Sequence, residues 1–203
     1  MKSLLLIGGG GHCRSCIDVI EASETYQIAG VVEPNASSGQ ILGHPIIGSD
    51  DDLPRLLDDT KSALITVGQI KSPERRISLF GLLKKLGARL PVIISPIAYC
   101  SKRAVVGEGS TIMHGAIINA GAQIGDNCIV NSQALVDHDV EIDDYCHIST
   151  GARVNGSVVI GKGSFVGSGA VIREGVKIGE NVIIGAGLVV LQDVPSDTVM
   201  KNG

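Results

Sequence analysis

Two histidines in the second half of the chain carry types and spacing suited to chemistry. His138 stands between Asp137 and Asp139, and His147 follows nine residues later, in a chain of 203 residues with five histidines. A neutral imidazole with a pKa near ~6.5 can take a proton from an attacking amine or hydroxyl at physiological pH. A carboxylate beside it, here Asp139, can orient the ring and stabilise its charged form. A lone surface histidine needs no explanation beyond solvation. One wedged between two carboxylates, with a second nearby, is read as a proton-transfer site.

A second cluster lies near the N-terminus. Gly8-Gly9-Gly10-Gly11-His12 follows an apolar run at 4–7 and opens a helical pattern. Backbone N–H groups at such a helix start can meet phosphate. The dinucleotide fingerprint G-x-G-x-x-G fails, because Cys13 stands where the third glycine belongs. Glu33 ends the next apolar run, where an acid often meets a ribose. Cys13-Arg14-Ser15-Cys16 has redox spacing but falls inside the first helix and reads as structural. His114, His138 and His147 offer no close pair of the kind a zinc carbonic anhydrase needs, so no metal is expected. Arg75 and Arg76 read as a solvated helix face, with a reach to a phosphate as the second reading, and His44 as part of a turn before Pro45.

Composition narrows the classes. The formal charge is −4, with 17 basic and 21 acidic residues, so no basic surplus exists to hold a nucleic-acid backbone. No apolar run approaches the ~18 residues of a membrane span, and the run at 4–7 is too short for a signal peptide. Five cysteines, an odd number, argue for reduced thiols in a cytoplasm.

The elements that must position these groups fall into two halves. Residues 1–95 alternate short apolar runs (4–7, 28–33, 63–67, 90–94) with helical patterns (13–22, 53–57, 73–86). This predicts a small parallel, Rossmann-like sheet with covering helices. From residue 96 to 203 a period of six takes over. Every sixth residue from Val106 to Val190 is Ile or Val, fifteen in succession, although only 46 of 203 residues are of these types. A fixed hexapeptide period predicts a β-helix. Two positions before many of these aliphatics stands a small residue, such as Ala116, Cys128, Ala134, Cys146 or Ala152. Strand alternation puts both positions inward. The position after the aliphatic is Gly, Asn or Asp in eleven of the fifteen hexads. That column is expected to hold the positive-φ corner.

Three faces per coil make a turn of about eighteen residues. His147 lies between inward Cys146 and inward Ile148, so its side chain points outward. His138 falls at a corner, half a coil away. The two cannot meet within one chain, so a shared site must lie between subunits.

Hexads such as Ile160-Gly161-Lys162-Gly163-Ser164-Phe165 resemble the left-handed β-helix of the hexapeptide acyltransferases. Together with the glycine run ending in His12, Val136-Asp137-His138-Asp139 and the stretch from His147 to Ala152, they resemble bacterial sugar acetyltransferases. The family is that of UDP-N-acetylbacillosamine N-acetyltransferase and sialic acid O-acetyltransferase. The resemblance implies a homotrimer and acetyl transfer from acetyl-CoA to a nucleotide-linked amino sugar in glycan or surface polysaccharide synthesis. It implies direct transfer, with His138 as general base and Asp139, where the family has Glu, as its partner. It places His147, Gly156 (through its N–H, at the oxyanion), Ser168 and Ala186 at acetyl-CoA, and Gly10, Gly11, His12, Glu33, Pro34 and Gly68 at the nucleotide sugar. Pro34 replaces a frequent second acid, and Gln69-Ile70 replaces a frequent Asn-Asn. Two further readings stay open: O-acetylation of a sialic-acid-like sugar, and a non-catalytic nucleotide-sugar-binding scaffold.

Overall fold

The computed structural model describes residues 2–34 and 39–201. The N-terminal part is built from β1 (Lys2–Ile7), α1 (Gly11–Ser23), β2 (Tyr26–Val32), β3 (Gln40–Ile41), β4 (His44–Gly48), α2 (Leu53–Thr60), β5 (Ala63–Ile65) and α3 (Glu74–Lys85). Its sheet has the order β3-β4-β2-β1-β5 and is parallel except for the antiparallel β3–β4 pair. Alternation along β1 feeds two layers. Leu4 and Leu6 pack with Cys13, Ile17 and Ile20 of α1, while Leu5 and Ile7 pack with Leu53, Leu79 and Leu83 of α2 and α3. Among the described residues no helix is long and apolar enough to cross a membrane.

The rest is a left-handed parallel β-helix. Its strands stack in three faces with an eighteen-residue register, as in Ile129↔His147 and Leu135↔Arg153. The first face runs from Ile93–Ile94 through His147–Ile148 to Val199–Met200, the second from Tyr99–Cys100 to Val189–Val190, and the third from Val105–Val106 to Lys177–Ile178. From Ile112 to Val190 every aliphatic on the six-residue grid is buried in one core, with Ala116, Ala122, Cys128, Ala134, Cys146, Ala152 and Ala170 between them. Each buried Ile or Val contributes about 1.5–3 kcal/mol, which suits a rod almost free of aromatics.

Three expectations change. The positive-φ corner lies three residues after the aliphatic, at Gly109, Gly115, Gly121, Asn127, Gln133, Asp139, Tyr145 and onward, not directly after it. The glycines directly after the aliphatic serve close stacking instead. A Cβ on Gly161 would stand 2.7 Å from the Glu180 nitrogen of the next coil. Residues 90–94 do not extend the N-terminal sheet, because Ile93–Ile94 pairs with Thr111–Ile112 and starts the first face. Ile94 is one coil below Ile112 and already in phase with the repeat. His44, expected in a turn, lies in β4 with its ring on Glu21.

The two parts share packing. Ile93 and Met113 of the coil join the α1 core cluster, and Phe80 of α3 meets Tyr145 of the coil edge-on at 5.6 Å.

Candidate active site

The β-helix displays the two histidines in opposite settings. His138 follows the second-face strand Leu135–Val136 at the corner leading to the third face. Its side chain is 54 % exposed, and Nδ1 lies 3.0 Å from Asp139 Oδ2. This hydrogen bond, then Asp137 and the Asp139 charge, push its pKa above the ordinary imidazole value. An acceptor at Nδ1 leaves the Nε2 lone pair free for a proton. Asp139 reaches the ring although it is one carbon shorter than Glu, from a backbone turned to φ 58°. Gly156, one coil on in the same corner column, is the floor beneath the ring. A Cβ there would meet His138 Cε1 at 2.6 Å.

His147 leaves the coil outward, as its phase dictates, but solvent does not reach it. It is 7 % exposed, because the segment after β5 covers it. Gln69 carbonyl accepts from Nδ1 at 2.6 Å, Asn131 Nδ2 lies 3.3 Å from Nε2, and Phe165 packs edge-on at 5.2 Å. Burial pushes its pKa down to about 4, against the pull of the Gln69 carbonyl. The corner opposite the first face is the one between second and third. His138 and His147 therefore stand on opposite sides of the rod.

Two cavities flank Gly68. One, of about 290 Å³, is lined by Gly8, Gly9, Gly10, Glu33, Pro34 and Arg75 among others, at the carboxyl ends of β1, β2 and β5. That crevice is where open α/β sheets bind ligands. Glu33 accepts the Gly9 N–H at its wall, and Arg75 pairs with Asp50 at its edge. The other, of about 410 Å³, joins Gly11, His12, Gln69 and Asn131 to His147. Burial drives the His12 pKa down to about 3, and its Nε2 meets Cys16 Sγ at 3.4 Å. The structure thus brings the residues expected at the nucleotide sugar next to His147 and leaves His138 far from both. Ser168 and Ala186 stack one coil apart, both exposed, at the corner between first and second faces.

Other residues take places that the sequence pattern does not show. Arg76 is not part of a solvated face. It is 1 % exposed and spans the two parts of the molecule, while only Arg75 is exposed. Ser95, His114 and Asp18 form a Ser-His-Asp array, with Oγ–Nδ1 at 2.6 Å and Nε2–Oδ2 at 2.9 Å. It is no nucleophile site, because Ser95 is 1 % exposed and its Oγ accepts the Ile97 N–H. Asn131 and Gln69 carried no signal as partners of a histidine, since their contacts join distant segments. Among the described residues no group of three His, Cys, Asp or Glu could hold a metal ion.

Residues 3–78 match the family described as PglD N-terminal domain, and residues 103–138 and 157–192 match the bacterial transferase hexapeptide family. The acetyltransferase domain of PglB from Neisseria gonorrhoeae is 33 % identical, with a TM-score of 0.87 over 98 % of this chain and 96 % of that one. It has also been solved with acetyl coenzyme A. PerB from Caulobacter crescentus, solved with CoA and GDP-perosamine, is 32 % identical, with a TM-score of 0.92 over 98 % of this chain and 93 % of that one. WeeI from Acinetobacter baumannii shares the fold at 24 % identity, with a TM-score of 0.88 over 98 % and 96 % of the two chains. Among curated protein sequences none matches. The chain belongs to the hexapeptide-repeat sugar acetyltransferases, acyltransferase enzymes that take their acyl group from acetyl-CoA.

Proposed function

We propose that the protein moves an acetyl group from acetyl-CoA to the amine of a nucleotide-linked amino sugar, in a site built from two subunits of a homotrimer. The observation that carries this is the His138–Asp139 pair, its Nε2 free, on the side of the rod away from the nucleotide-type crevice and His147. Only a neighbouring copy can supply His138 to that crevice. The second face offers the surface for it. Its outward residues are Tyr99, Ile117, Leu135, Arg153, Val171 and Val189, and Tyr99, Ile117 and Val189 are 60 %, 42 % and 59 % exposed. Such an apolar column calls for a partner.

In the transfer, the sugar nitrogen attacks the thioester carbon while His138 Nε2 takes one of its protons. Asp139 steadies the resulting imidazolium. The oxygen gains negative charge as the C–N bond forms, and the Gly156 N–H, beside the ring, donates to it. Collapse expels the CoA thiolate, which takes the proton back from His138. The glycine run and the first turn of α1 hold the sugar nucleotide phosphates, beside Glu33, Pro34 and Gly68. Ser168 and Ala186 line the groove for the pantetheine arm, with His147 near its thioester end. Direct transfer is favoured because burial raises the pKa of the Cys13, Cys16 and Cys146 thiols, and buried thiols are poor nucleophiles.

The test is an acceptor panel with product mass measurement, run beside His138→Ala. UDP- and GDP-linked amino sugars should gain one acetyl group at nitrogen. Free sialic-acid-like sugars should stay unmodified, and their acetylation instead would overturn the reading. A solution mass near one 21.0 kDa chain with full activity would overturn the shared site.

A further inference from the structure

We propose that Arg76 is a positioning residue for the transfer reaction: it ties the segment at 67–69 to the coil and so holds His147 as one tautomer, with hydrogen on Nδ1 and a bare Nε2. The direction of every hydrogen bond around the ring is determined. The Ser132 N–H donates to Asn131 Oδ1 at 2.8 Å, which identifies the other end of that amide as the donor. That end, Nδ2, faces His147 Nε2, so Nε2 accepts. The partner of Nδ1 is the Gln69 carbonyl, which can only accept, so Nδ1 carries the hydrogen. His147 therefore has no N–H to offer from Nε2, and charge on the thioester oxygen is left to another donor.

Arg76 holds this arrangement from behind. Its Nη1 donates to Val67 carbonyl at 2.6 Å and to Ile65 carbonyl at 3.3 Å. Its Nη2 donates to the Asn127 carbonyl at 2.7 Å and to Asn127 Oδ1, while Asn127 Nδ2 returns a bond to the Arg76 carbonyl at 3.2 Å. Asn127 sits at a positive-φ corner of the coil. Two residues past Val67, Gln69 meets His147 with its carbonyl and Gly163 carbonyl with its side chain at 3.1 Å. Arg76 and His147 thus clamp the two ends of one short segment, which includes Gly68 between the two cavities.

The guanidinium is buried and, among the described residues, has no ion pair. Its titratable neighbours are Cys16 and His12 of α1, Cys128 of the coil and His147 itself. None is a carboxylate. Its charge opposes protonation of both His12 and His147, adding to their burial. At neutral pH the cavity they share presents two neutral rings.

The tautomer stands whatever His147 touches; that its order matters to turnover rests on the reaction proposed above. Imidazole ¹⁵N spectra of the full-length enzyme read the tautomer without any turnover. The expected result at neutral pH is an N–H at Nδ1 and an unprotonated Nε2. Arg76→Met should mix the tautomers and raise the KM for acetyl-CoA about tenfold, the loss expected for one ordered hydrogen bond. Arg76→Lys keeps the charge without the fork and should leave the tautomers mixed as well. Asn127→Gly suits the positive φ, removes only the side-chain link, and keeps the test open if Arg76→Met does not fold. It should mix the tautomers partly. A wild-type ring protonated at Nε2, or folded Arg76→Met and Asn127→Gly proteins with unchanged spectra and KM, overturns the proposal. Wild-type spectra as expected, with no acetyl transfer to any amino sugar, would leave the tautomer standing and remove the reading of function.

Discussion

His138 and His147 are the same side chain nine residues apart, and their surroundings drive them in opposite directions. His138 stands on an open corner between two carboxylates, which favour its charged form. His147 stands under the N-terminal part, near the cationic Arg76, and its charged form is disfavoured. The hexapeptide period places one at a corner and the other on a face. It is the N-terminal part of the molecule, the irregular one, that decides what covers each. A proton acceptor that must meet the substrate of a neighbouring copy needs the open corner. A ring that must keep one orientation needs the wall.

The sharpest way to break this contrast is to remove each ring in turn. His138→Ala should lower kcat by ~10²–10⁴-fold while leaving acetyl-CoA affinity in place, the usual contribution of a general base. His147→Ala should act mainly on KM for acetyl-CoA. Steady-state kinetics of the two variants separates them, and equal losses in kcat would erase the distinction drawn between corner and wall.

The same contrast has a thermodynamic face. His147 titrates near 6.5 when unfolded and is held down to about 4 when folded. Between those values the unfolded chain binds more protons, so stability rises with pH through this window and is lost as pH falls. The shift corresponds to about 3 kcal/mol at most. His12, held down to about 3, acts with the same sign. Urea unfolding between pH 4.5 and 7.5 should show this slope in the wild-type enzyme and a shallower one in His147→Gln. A flat profile would mean that water reaches the ring.

How much of this was legible in the chain follows from the range of each interaction. The coil was readable because its contacts repeat every eighteen residues, so Ile112 and Val130 announce each other. The same regularity gave the outward phase of His147 but could not say that Gln69 lies on top of it, 78 residues away. Arg76 looked like its neighbour Arg75, since nothing local distinguishes a helix face turned to solvent from one turned to Asn127. The glycine columns look alike in sequence for a different reason. Gly107 and Gly109 are both plausible corners on composition, and only the backbone shows that the first makes room and the second turns left-handed.

Gly156 sharpens the corner side of the comparison. Its φ is not positive, so a methyl group there creates no backbone strain, yet that methyl would stand 2.6 Å from the His138 ring. The ring is exposed and can swing away, so Gly156→Ala should change the melting temperature little. The displaced base should lower kcat by about 10–10²-fold, the cost of an ångström-scale misplacement. Unchanged kcat would show that the ring does not rest on Gly156 during turnover.

The smallest effect concerns Asp139, where fold and function pull apart. Asp139 occupies the corner column that Gly fills at 121 and 175, with φ 58°. A non-glycine residue there is strained by about 1 kcal/mol, somewhat relieved for Asp. Asp139→Gly should therefore unfold at a slightly higher urea concentration than the wild type. It also removes the carboxylate that raises the His138 pKa, so the acid limb of the kcat/KM profile should move to lower pH as the rate falls. Asp139→Asn should move the limb in the same direction without the gain in stability, since the backbone strain stays. If Asp139→Gly proves less stable, the carboxylate is holding the corner together, and its place beside His138 owes more to folding than to catalysis.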